Sequence, residues 1–154
     1  MTTSFEERQY LLYRELHGQL LTSRIAFHSF CYTAAKKIEN GNFVLYTQGA
    51  CKLPGWQEYV TQYAFPLNEK TKAVILRIQE LEAVKGVTLL PELRQFLSYV
   101  NDWSVLHTAY EKGENPTYNW TAGRNFPYGV DECVEDVLVI LAGEPKVQHL
   151  LFFI

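Results

Sequence analysis

Apolar residues recur along most of this chain at the three- and four-residue intervals of a helix, not at the strict alternation of a strand. Phe5, Leu12, Leu16, Leu20, Phe27, Phe30, Ala34 and Ile38 form one such series. Thr3 with Glu6 and Ser4 with Glu7 both fit a capping box ahead of it. The pattern predicts a long first helix that stops at Asn40-Gly41, with Lys36 and Lys37 placed to complement its carbonyl end. Gly18 lies mid-series, so two half-helices are an open alternative.

Phe43 to Thr47 is a single β-prone run without a partner and reads as an extended connection. Trp56, Tyr59, Val60 and Tyr63 then follow helical spacing between Pro54-Gly55 and Pro66, predicting a short helix with an aromatic face. Asn68 is expected to cap a third helix through Lys85, with Val74, Ile75, Ile78 and Leu81 inside and Gly86 at the stop. Pro91 opens a fourth, whose inner face is Leu93, Phe96, Leu97, Val100, Trp103, His107 and Tyr110 before Gly113.

Near the C-terminus, Val130, Cys133, Val134, Val137, Leu138 and Leu141 keep helical intervals, and Asp131 can cap them. Gly143 would end that helix and Pro145 start another carrying Val147, Leu150, Leu151 and Ile154. The competing reading pairs Val137 to Leu141 with Val147 to Phe153 as a hairpin, which would make the fold α+β. The spacing favours an all-α fold: an irregular bundle of five or six helices forming one domain over residues 1–154.

Between the fourth helix and the last ones lies a turn-rich stretch from Glu114 to Val130 that suits no regular element. It carries Tyr118, Trp120, Arg124, Phe126 and Tyr128, residue types that dominate binding interfaces. The same rings would serve equally to plug the end of the bundle from within.

Composition narrows the partners more than it names them. With 14 basic and 17 acidic residues the net charge is −3, which gives neither a basic track for nucleic acid nor a strongly acidic surface. No apolar run approaches the ~20 residues of a membrane helix, and the first residues do not resemble a secretory signal. Cys31, Cys51 and Cys133 are odd in number and widely spaced, which suits reduced thiols in the cytoplasm better than disulfides or a zinc site.

Candidate chemistry is sparse. His17, Arg24 and His28 share a face of the first helix, and an Arg24/His28 pair could hold a phosphodiester and move a proton. The two histidines stand about 16 Å apart along the axis, too far for one metal. Asp131, Glu132, Glu135 and Asp136 could gather a cation, but acidic residues at a helix start are already favoured by its dipole. His107 lies on an apolar stripe and reads as a structural histidine. With no nucleophile elbow, phosphate loop or dinucleotide fingerprint, no cofactor or metal is expected. The sequence leans toward a small cytoplasmic binding or regulatory protein, an adaptor, inhibitor or assembly subunit with a protein partner. A small hydrolase or nuclease built on Arg24 and His28 is the alternative.

Overall fold

The computed structural model describes residues 4–36, 54–116, 127 and 129–142. The first helix, α1 (Phe5–Lys36), starts where the sequence places it: the backbone N–H of Glu7 donates to Ser4 Oγ at 3.1 Å. It runs unbroken for 32 residues, about 48 Å at 1.5 Å per residue. Gly18 therefore does not divide it; the Thr22 hydroxyl, one turn on, donates to the Gly18 carbonyl at 2.8 Å without interrupting the helix. The expected end at Asn40-Gly41 and the 43–47 connection lie outside the described residues.

The second and third predicted helices are one continuous rod. Helix α2 (Trp56–Tyr59) passes into a π turn (Val60–Ala64) and then into α3 (Phe65–Val84). The reason is Pro66, which has no N–H to give the carbonyl four residues back and whose ring would press on it. The π turn supplies the room: Phe65 N–H donates to the Val60 carbonyl, five residues earlier, so the chain widens just ahead of the proline and continues. Asn68 is accordingly not a cap, as its spacing suggested, but a buried residue within the rod. The stop at Gly86 is as expected. Its φ of +70° suits glycine, and Val87 N–H reaches back to the Glu82 carbonyl at 3.0 Å, satisfying a terminal acceptor.

After that turn, Pro91 opens α4 (Pro91–Glu111), and α5 (Gly129–Ala142) begins before the expected irregular stretch Glu114–Val130 ends, so Gly129 and Val130 are helical. Asp131 sits inside the first turn of α5, not ahead of it, so it does not cap as expected. Because Val137 to Leu141 are helical, the hairpin reading is ruled out; the segment after Pro145 lies outside the described residues. The described residues are all-helical and make four rods: α1, the α2–α3 rod, α4 and α5. The second and third predicted helices count as one rod here because a proline that commonly ends a helix is bridged, and the last predicted helix lies outside the described residues.

Each rod touches two others: α1 lies against α3 and α5, and α4 lies against α3 and α5. Tyr13 at the start of α1 meets Glu82 at the end of α3, and Phe30 meets Tyr59 at the other end, so these rods are antiparallel. The main core is aliphatic: Leu16 and Leu20, Ile75 and Ile78, Leu93 and Val100, Val130 and Val134 are fully buried. A second cluster is aromatic, built where α1, α2, the π turn and α4 converge around Trp56, Tyr59, Val60 and Trp103. Tyr99 packs against both clusters and joins them. No described helix is long and apolar enough to cross a membrane.

Candidate functional site

The Arg24/His28 pair is only partly brought to chemistry by the fold. Arg24 forms an ion pair with Asp131 across the α1–α5 interface, with side chains just 18% and 12% exposed. His17 faces the same helix, its Nε2 3.7 Å from Glu135 Oε1. This seam explains two of the four carboxylates at the start of α5: Asp131 and Glu135 are buried against α1, whereas Glu132 is exposed and Asp136 points to solvent beside it. They do not gather, and among the described residues no cluster of three histidine, cysteine or acidic side chains could hold a metal.

His28 is on the outer flank of the seam. Partial burial, with the neighbouring Arg24 guanidinium second, pushes its pKa below the ordinary histidine value. The folded state therefore binds fewer protons at this ring than the unfolded chain. Stability should be complete above the unfolded value of about 6.5 and fall as pH drops toward the depressed one. His28→Asn is expected to flatten the stability profile between about pH 7.5 and about pH 5.5, where carboxylates contribute little. An unchanged slope in urea melts across that window would remove His28 from the acid response.

The aromatic cluster is mostly structural. Phe30 stacks on Tyr59 at 4.6 Å, Trp56 lies 6.3 Å from Trp103, and burial pushes the Tyr59 hydroxyl pKa well up. The aromatic face expected from Trp56, Tyr59 and Tyr63 is thus split, since Tyr63 alone is 53% exposed. His107 stacks on Phe65 at 4.1 Å and its Nε2 pairs with Glu111 at 2.8 Å, which agrees with a structural role.

Beside this cluster opens a cleft of about 530 Å³, between the outer face of α2 with the π turn and the C-terminal end of α4. Gln57, Glu58, Thr61 and Gln62 line one wall at helical spacing, and Trp56 and Tyr110 contribute rings. The Thr61 hydroxyl donates to the Gln57 carbonyl at 2.8 Å. The side chains of Gln57, Glu58 and Gln62 form no hydrogen bond or ion pair among the described residues. Sequence reasoning saw the buried side of this helix and missed the polar one, because a run of Gln, Glu and Thr reads only as a solvated face until Tyr110 of α4 is placed beside it.

A further set of titratable groups is turned inward. Glu82 is 2% exposed and accepts from Gln9 Nε2 at 2.8 Å and from the Tyr13 hydroxyl at 3.3 Å. Burial raises the Tyr13 hydroxyl pKa, with Glu82 adding to it. Burial also pushes the Cys31 thiol up to about 11 and, helped by Glu92, the Cys133 thiol up to about 12, so both are poor nucleophiles at neutral pH. The expected interface residues Tyr118, Trp120, Arg124, Phe126 and Tyr128 all lie outside the described residues. No protein-family model matches the chain, and neither a curated protein nor a solved structure was found similar to it.

Proposed function

We propose that this is a small binding or regulatory protein, an adaptor, inhibitor or assembly subunit, that works through contacts with a protein partner. The observation that carries the proposal is the cleft: convergent side-chain amides, a hydroxyl, a carboxylate and two rings beside a rigid aromatic cluster. These groups recognise by hydrogen bonding and packing, and a rigid backing keeps the ordering cost of recognition low. The hydrolase or nuclease reading is supported less well. Its arginine is spent on Asp131, so a phosphodiester would have to displace a largely buried carboxylate to reach it. A cytoplasmic setting belongs to the proposal, since the free thiols Cys31 and Cys133 suit a reducing compartment.

A photo-crosslinking amino acid placed at Gln62, and in a control at the exposed Arg94 on α4, tests the reading in the native cells. A discrete protein adduct from position 62 and none from position 94 is expected. Equal labelling from both positions would defeat the proposal.

A further inference from the structure

We infer that the cleft between α2 and α4 takes a cationic side chain, the ammonium of a lysine or the guanidinium of an arginine in a peptide segment of the partner. The inference rests on the proposal that the cleft is a recognition surface, and adds the chemistry of what enters it.

Charge decides the sign. Among the described residues Glu58 is the only charged one lining the cleft, and it forms no ion pair with any of them. A ligand that complements it is positive, and an anion would meet an uncompensated carboxylate.

Hydrogen-bonding character points the same way. Glu58 only accepts. Thr61 has already committed its proton to the Gln57 carbonyl, so what remains of that hydroxyl toward a ligand is its lone pairs. Gln57 and Gln62 can each turn a carbonyl inward. Glu58 and Thr61 thus offer acceptors alone and the two amides can add theirs, which suits a group made only of donors: three N–H in an ammonium and five in a guanidinium. A neutral polyol, which needs donors and acceptors in similar number, fits less well.

Shape completes the argument. About 530 Å³ holds a long basic side chain with part of its backbone. Tyr110 and the exposed margin of Trp56 give its methylene stem apolar surface, while the head reaches Glu58. The wall is fixed by burial behind it, since Trp56 and Tyr59 are both buried in the aromatic cluster.

The probes are three capped tripeptides, acetyl-Gly-Arg-Gly-amide, its lysine analogue and its glutamate analogue, titrated into the isotope-labelled full chain at low salt and followed by amide chemical shifts. The arginine and lysine probes are expected to give saturable shifts at Thr61, Gln62 and Tyr110, and the glutamate probe none. Glu58→Gln, an exposed and nearly isosteric change that leaves the melting curve in place, should weaken the arginine probe about two- to fivefold, the value of one solvent-exposed ion pair. Equal shifts from the glutamate probe, shifts confined to residues away from the cleft, or undiminished affinity in Glu58→Gln would each overturn the inference. Crosslinking from Gln62 that persists alongside such a result would leave the binding role standing and remove only its cationic chemistry.

Discussion

Trp103→Ala is expected to destabilise the protein by about 3–5 kcal/mol, the usual range for truncating a buried indole. Trp103 is 4% exposed and projects from α4 into the aromatic cluster, with Trp56 at 6.3 Å and Tyr99 at 6.4 Å between ring centres. Removing the ring strips contacts from α2 and α4 together, and its neighbours are rings held by their own packing, so they cannot collapse into the space. Trp103→Phe keeps an apolar ring and should lose markedly less. Guanidinium melts of both variants read the difference, and the near-ultraviolet circular dichroism of the cluster should fade with the alanine change. A loss within ~0.5 kcal/mol for the alanine variant would show that the cluster is a surface feature and not a second core.

Charge at the α1–α5 seam should show a different signature. Asp131→Ala is expected to cost about 2–3 kcal/mol, just under the range for breaking a fully buried pair, because both side chains keep some contact with water. The loss comes less from the missing attraction than from a guanidinium left poorly solvated against α5. Arg24→Met should be destabilising in the same way through the stranded carboxylate, softened because Asp131 also sits in the first turn of α5, where the helix dipole favours an anion. The double variant Arg24→Met with Asp131→Leu is therefore expected to recover most of the loss. A double-mutant cycle in urea measures the coupling, and additive losses would mean that α5 is held by its apolar stripe alone.

How α5 docks separates local from tertiary information. Its apolar positions Val130, Val134 and Leu138 were legible from spacing, because burial of one stripe imposes a 3.6-residue period on any amphipathic helix. Its acidic residues were not. Nothing local distinguishes Asp131 and Glu135, which are buried against α1, from Glu132 and Asp136, which are exposed, until the opposing arginine and histidine are in place.

By itself the sequence determined the helical class, the start of α1 at Ser4, the glycine stop at Gly86, the start of α4 at Pro91 and the inner faces of α3, α4 and α5. Each is a local matter of a cap, a backbone angle or a periodic stripe, settled within one or two turns of chain. Tertiary structure decided the rest. Pro66 reads as a break from its own chemistry, yet burial of Trp56, Tyr59 and Val60 on one side and Val74 and Ile75 on the other makes one rod worth the cost of a π turn. Tyr13 can be among the most buried residues because its hydroxyl donates to Glu82 from the far end of α3. The cleft belongs wholly to this second class: its wall comes from α2 and its ring Tyr110 from α4, and only packing of the rods brings the two together.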